Sequence, residues 1–363
     1  MTFRPRILPL LAALVLAGPT GRAAAAPLPP SALLLFLSAS EGVRSPAAPA
    51  ALRDEASRAL VAAFASPGRR VCAGAAVEPI LRAHRVRAAT DVDAAVLAAL
   101  ADRCGAERAL VLRLVLAPGE LFLVLESIDT ADGRLAQVGV VERPLESGAD
   151  WRRALGDAVL ELAAAADPEP LPRADARALL TLPAVTAGGA VEGPALLEAC
   201  LLRRLLASGR WLLPAPSLLL GELRAAGTHP AHLGDGDRRA LGEAHGGAPL
   251  LRPFLSEYVT PDRSVGFAVT DAADGAEDAP PRLGARAAQR PCYASLELVD
   301  SDSGVLRRVV EDYLPAAELR GSFGRPRNIT WLTRLDSLAE SLVSALDHDA
   351  AALAVAPSSG ESQ

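Results

Sequence analysis

The chain has 363 residues, of which 50% are hydrophobic and 22% charged. That length and mix fit two globular domains with a real core and exclude a disordered chain. A formal net charge of −6 gives no electrostatic footprint for a nucleic-acid partner. Aromatic residues are only 4% of the chain, so the core must come from Ala, Leu and Val. Lysine is absent and every basic side chain other than histidine is arginine. With the alanine richness, this fits GC-rich bacterial coding and carries no mechanistic weight.

Residues 1–25 have the three-part layout of a secretory signal peptide. Arg4 and Arg6 precede an apolar run from Ile7 to Ala17, and Ala23 and Ala25 satisfy a small-residue cleavage site. The apolar run is too short for a permanent membrane helix, and no later stretch reaches the roughly 18 apolar residues a span needs. The first cysteine is Cys72, which argues against a lipid anchor. The reading is an exported chain, periplasmic or secreted, with no transmembrane segment after cleavage.

Export places Cys72, Cys104, Cys200 and Cys292 in an oxidising compartment. Four cysteines allow three pairings. Pairing within each half, Cys72–Cys104 and Cys200–Cys292, suits two independent domains; a buried free thiol is the bland alternative. There is no C-x-x-C, so a redox or zinc site of that kind is excluded.

The first half reads as strand, helix, strand, helix, strand, hairpin, helix. The apolar run at 32–40 suits a buried strand. Leu52, Ala56, Ala59, Leu60, Ala63 and Phe64 recur at helical spacing, and Ser66-Pro67-Gly68 ends that helix. "RRVCAGAAV" is a second strand and "VEPILRAHR" a short helix. Thr90 or Asp91 serves as N-cap of a helix that Gly105 stops. A third strand leads into a hairpin around Asp129 to Gly133. The closing helix is capped by Asp150, with Leu155, Val159, Leu160 and Leu162 as its apolar face.

Residues 167–177 are Pro-rich and polar and read as a linker. Then the order repeats. The interval from Gly68 to Gly209 equals that from Gly105 to Gly246. A second, longer interval relates Asp129 to Asp300 and, identically, Gly133 to Gly304. The second half therefore carries about 30 extra residues, read as a surface loop at about 260–290 with one added strand at "VGFAV". The expected organisation is a domain at 31–166, a linker at 167–177, a domain at 178–350 and a disordered tail at 351–363. The fold class is α/β (α+β): two tandem mixed-sheet domains, each β-α-β-α-β-β-β-α.

Chemistry is sparse. Asp300, Asp302 and Glu311 fall at positions 1, 3 and 12 of a calcium loop, but Gly304 stands at 5 and Val305 at 6, where such a loop needs an oxygen ligand and Gly. The better reading is a turn that Asp caps and in which Gly takes positive φ. His229, His232, Asp235, Asp237 and His245 form the densest ligand segment, read as a polar loop entering a helix with Arg238 and Leu241. Ser264 lacks the first Gly of G-x-S-x-G, and no phosphate loop or dinucleotide fingerprint occurs. Cys72 and Cys200 lie on core patterns. No catalytic, cofactor-binding or metal residue is assigned, and no cofactor is expected.

Three passages carry a family resemblance. "LLTLPAVTAGG" resembles a V-x-x-L-P-F strand and loop, "LLRRLLASGRWLLPAPS" a helix-to-strand passage, and "ASLELVDSDSGVLRRVV" a V-x-L-x-L-V-D-x-x-T-G-x-V hairpin. The pattern resembles the small α/β domain shared by the TolB amino-terminal domain, LpoB, FlgO and CsgG, once in each half. It departs from the family in lacking Phe after Leu182-Pro183 and Thr before the hairpin Gly. The resemblance implies a non-enzymatic role in the bacterial envelope, with envelope proteins as partners. A hydrolase or small-ligand-binding protein, using loops of the second half, is the alternative.

Overall fold

A computed structural model of the chain describes residues 30–39, 49–64, 70–117, 120–144, 150–165, 172–186, 192–256, 292–314 and 330–353. The signal segment 1–25, the first part of the linker, the insertion at 260–290 with its "VGFAV" strand, Asp262 and Ser264, and the tail from 354 lie outside the described residues.

The first half gives β1 Ser31–Ala39, α1 Pro49–Phe64, β2 Val71–Cys72, α2 Glu78–Ala83, α3 Ala94–Cys104, β3 Arg108–Ala117, β4 Glu120–Asp129, β5 Leu135–Pro144 and α4 Trp151–Ala165. The strand order is β2-β1-β3-β4-β5. β1 runs parallel to β2 and β3, and β3, β4 and β5 form an antiparallel meander. The crossover helices force the parallel neighbours, whereas tight turns allow only antiparallel ones.

The second half gives β6 Arg177–Ala178, β7 Leu180–Thr181, β8 Val185–Thr186, α5 Glu192–Ser208, β9 Trp211–Leu212, α6 Pro216–Ala225, α7 Asp235–Ala244, β10 Leu250–Ser256, β11 Cys292–Val299, β12 Leu306–Leu314 and α8 Trp331–Leu353. Here β12-β11-β10-β7 form one sheet, β8 also pairs with β10, and β6 pairs with β9. The pairing senses match the first half: parallel for β6 on β9 and for β7 on β10, antiparallel for β10-β11-β12. The first strand is in three pieces, and Pro183, which cannot donate to a ladder, sits between β7 and β8.

Several expectations are corrected. "RRVCAGAAV" keeps only two strand residues, because Gly74–Ala76 turn into a 3₁₀ helix. Asp93, not Thr90 or Asp91, caps α3: its Oδ1 accepts the Val96 amide at 2.9 Å. Asp91 instead accepts the amides of Arg87 and Ala88 one turn earlier. Leu160 is 62% exposed, since Leu155, Val159 and Leu162 set the buried face and Leu160 is rotated away from Val159 by one residue of helix. The end of the expected linker is tied down, with Arg173 N donating to Gly209 O at 2.7 Å and Arg177–Ala178 forming β6.

The two halves do not have independent cores. α1 and α4 cover one face of the first sheet through Leu52, Leu60, Phe64, Leu155, Val159 and Leu162. α2 and α3 cover part of the other face, and the rest is covered by α5 from the second half. α5 is sandwiched: it also packs, with α8, on Leu251, Leu255, Leu296 and Val310 of the second sheet. Leu196, Leu197, Leu201, Leu202 and Leu205 are all fully buried, a broad apolar face that suits a helix packed on two sides. Burying these leucines contributes on the order of 10 kcal/mol gross. Backbone bonds cross the same seam, Leu135 N to Leu213 O at 2.8 Å and Ala215 N to Gly133 O at 2.9 Å.

Candidate functional site

The acidic hairpins are structural. Asp300 Oδ1 accepts the amides of Asp302 at 3.1 Å and Ser303 at 2.7 Å, and Oδ2 pairs with Arg307. These bonds, the Ser303 amide first, hold the Asp300 carboxyl down at about 2. Gly304 takes φ +74° and Gly133 φ +71°, as the turns require. Glu311 faces Ser295 on the β11–β12 ladder, away from the turn.

The histidine segment is dispersed. His229 accepts the Ala231 amide, Asp235 pairs with Arg238, and His245 lies 3.1 Å from Glu222. Among the described residues, no group of three or more His, Cys, Asp and Glu is arranged to hold a metal. Arg238 is buried and donates to the carbonyls of Asp300 and Ser301 at 3.1 and 2.6 Å, fastening α7 to the second hairpin.

Cys72 and Cys104 form a disulfide with Cα atoms 6.1 Å apart. The Cys200–Cys292 expectation is corrected: Cys200 is a free, fully buried thiol on α5, inside the shared core. Burial pushes it up to about 12. The Cys292 side chain lies outside the described residues.

Polar groups sit under the shared seam. Arg113 on β3 and Glu126 on β4 pair at 2.5 Å with little exposure. Glu198 of α5 approaches them and accepts the Ala184 amide at 3.2 Å. Burial raises the Glu198 carboxyl to about 7, the Arg113 charge opposing it. Glu142 on β5 accepts the Leu332 amide at 2.9 Å and so caps the start of α8. Burial raises both Glu142 and its neighbour Glu120, the latter to about 7. Glu142 thus joins the halves, and Glu198 places a carboxyl of the second half near a first-half ion pair.

Among the described residues, two surfaces bear on binding. The first is a cleft of about 660 Å³ lined by Arg173, Arg177, Arg210, Arg307, Arg308 and Trp211, with His245 and Asp175. Five of the lining residues are arginines in a chain of net charge −6, and two of these are already engaged, Arg307 with Asp300 and Arg210 with Asp347. Arg210 donates to the Asp347 carbonyl at 2.6 Å, and the Trp211 indole N–H donates to the Asp347 carboxylate at 3.0 Å. Guanidinium forks in such a cleft suit carboxylate or phosphate. No sequence signal marks it, because the arginines come from the linker, β6, β12 and the turn before β9.

The second is the outer face of the second sheet. On β12, Arg307, Val309, Glu311 and Tyr313 alternate outward while Val310 is buried. Val309 is 42% and Tyr313 51% exposed. The interval that relates Asp129 to Asp300 pairs them with Val138 and Glu142 of the first half. Those counterparts lie under the α5–α8 seam, and Val138 is 5% exposed. Glu297 corresponds to Glu126 by the same spacing, and each pairs with an arginine of the adjacent strand, Arg252 at 3.3 Å and Arg113 at 2.5 Å. The first-half pair is buried under α5; the second-half pair has side chains 49% and 39% exposed.

No protein-family model and no curated protein matches the chain. Among solved structures, the chain is 17% identical to lipoprotein GNA1162 from Neisseria meningitidis, covering 48% of this chain and 96% of that one at a TM-score of 0.28. It is 12% identical to the protein of the PelC dodecamer from Paraburkholderia phytofirmans, covering 49% and 90% at 0.26. It is 14% identical to the LpoB C-terminal domain from Salmonella enterica, covering 38% and 82% at 0.23. Likenesses of this size assign neither fold nor role. Among the described residues, no helix is long and apolar enough to cross a membrane.

Proposed function

We propose that the chain is an exported, non-enzymatic binding protein of the bacterial envelope. It is built from two tandem copies of one mixed α/β unit, 31–166 and 178–350, joined through 167–177. The duplication is supported by the matching pairing senses, the equally spaced hairpins and the glycines at 105 and 246, both at positive φ. The single observation that carries the binding role is the open outer face of the second sheet, since the corresponding face of the first sheet is buried under a helix. An exposed sheet face with a central ion pair and flanking Val309 and Tyr313 is a surface for a protein partner. Photo-crosslinking residues placed at 309 and 313 should yield protein adducts in envelope preparations. If both positions stay free of adducts while the chain is folded and exported, the reading fails.

The arginine cleft favours a second reading, capture of a small anion. Titration calorimetry with inorganic phosphate, pyrophosphate and citrate tests it. Binding that weakens about tenfold in Arg177→Gln supports this reading, and heat of dilution alone with all three anions ends it.

A further inference from the structure

We infer that the partner of the open sheet face is a second copy of this chain, which lays the outer side of its α1–α4 layer on that face, head to tail. The inference rests on the binding reading above and names its partner.

Each chain already contains one example of the contact. The outer face of the first sheet is covered by a helix layer of the second half, with α5 in the middle and the start of α8 fixed on Glu142. That layer is placed on its own sheet as α1 and α4 are on theirs. α5 and α8 cover Leu251 and Leu296, and α1 and α4 cover Leu112 and Leu123. The chain thus joins a helix layer to a sheet face once internally and leaves one half of the same contact open at each end. The open sheet face is Arg252, Glu297, Val309, Glu311 and Tyr313; the open helix layer is the solvent side of α1 and α4. Two different surfaces that fit each other make a heterologous contact, which repeats until it closes or runs on.

The chemistry of the open layer agrees. Leu160, 62% exposed on α4, offers an apolar group to Val309 and Tyr313. Arg58–Glu55 and Arg153–Asp157 present both signs of charge to a face that carries Arg252–Glu297 and Glu311. In the internal contact α5 packs against the first sheet, and Glu198 lies within electrostatic reach of Arg113–Glu126. By the interval that relates Gly105 to Gly246, it corresponds to Ser57 on α1. A serine hydroxyl can bond Glu297 without burying another carboxylate beside it.

Light scattering after size exclusion, on the mature chain over a wide concentration range, should show mass rising with concentration. Val309→Arg blocks the sheet end and Leu160→Arg the helix end. Both positions are exposed, so circular dichroism should be unchanged. Each variant alone should weaken growth about tenfold or more. A mixture of the two retains one intact pair of surfaces and should give a one-to-one dimer, while the double variant stays monomeric. A wild-type chain that is monomeric throughout overturns the inference. So does association that Val309→Arg abolishes and Leu160→Arg leaves untouched. A monomer that still crosslinks to another protein through position 309 leaves the binding reading standing and removes self-association. Crosslinks from 309 only to residues 257–291 of the same chain overturn both.

Discussion

Asp300 holds at the second hairpin the place that Asp129 holds at the first. Each donates its amide across the turn, Asp129 to Arg134 O at 2.8 Å and Asp300 to Val305 O at 2.9 Å. The backbone carbonyl of each accepts the amide of the turn glycine, Gly133 at 2.9 Å and Gly304 at 3.0 Å. Each also caps the turn with Oδ1, on Ala131 N at 2.9 Å and Asp302 N at 3.1 Å. The register shift before each turn falls at equivalent positions, Ser127/Ile128 and Leu298/Val299. The opposite surroundings of the two sheets are therefore differences of packing, since the hairpin backbone beneath is the same.

The Asp300 cap gives an acid-dependent effect. Its carboxyl is held below its ordinary value, chiefly by the Ser303 amide. Its contribution is therefore present above the unfolded value of 3.8 and fades as pH falls through about 2. Asp300→Ala is expected to cost about 1 kcal/mol at neutral pH. Urea denaturation of both proteins should show the gap closing towards pH 2.

Glu198 has the opposite sign. Its carboxyl is raised to about 7 by burial, so the folded state holds the proton more tightly than the unfolded state. Stability is then greatest below the unfolded value of 4.5 and declines as pH rises to about 7. Glu198→Gln removes the titrating charge. It should match the wild type at about pH 4 and exceed it by a few kcal/mol, at most about 3, at about pH 8. Paired denaturation curves at the two pH values check this; a variant less stable than the wild type in the alkaline sample refutes it.

The cysteines separate by chemistry. Non-reducing digestion should recover the Cys72–Cys104 peptide pair. Cys200 is buried and pushed up to about 12, so it should resist alkylation in the folded protein and react only in denaturant. The Cys72→Ala/Cys104→Ala variant should lose about 3–4 kcal/mol, the loop-closure effect for a sequence separation of 32.

The α7–hairpin contact depends on a missing side chain. A Cβ on Gly242 would overlap the Oγ and Cβ of Ser301. Gly242→Ala is expected to destabilise by about 1–3 kcal/mol. Adding Ser301→Gly should recover part of that loss if the overlap is the cause, and thermal melts of the single and double variants read it directly.

Local residue types made the element order legible. Gly105, Gly133, Gly246 and Gly304 all adopt the positive φ that their stop and turn positions imply. Asp150 accepts the Arg152 amide at the start of α4, as its place before an apolar-periodic run suggests. The same logic failed at α3, where Thr90, Asp91 and Asp93 all offer a cap and only the backbone path selected Asp93. It failed at Leu160, since one exposed leucine has the same sequence signature as a buried one. The arginine cleft could not be read at all, because its arginines converge from segments far apart in the chain.

The periodic elements and the turn chemistry are legible in the chain because they depend on residues a few positions apart, and the equal intervals between the two halves are read by direct comparison of its positions. Long-range packing settles that α5 lies between two sheets, that Cys200 is sealed in the core, and that Glu126 is buried while Glu297 is open. Burial depends on what packs above a residue. The helix above Glu126 is α5, which comes from the other half of the chain; the unbroken apolar run Leu121–Leu125 on β4, against the alternation on β11, marks a strand covered on both faces but not which element covers it.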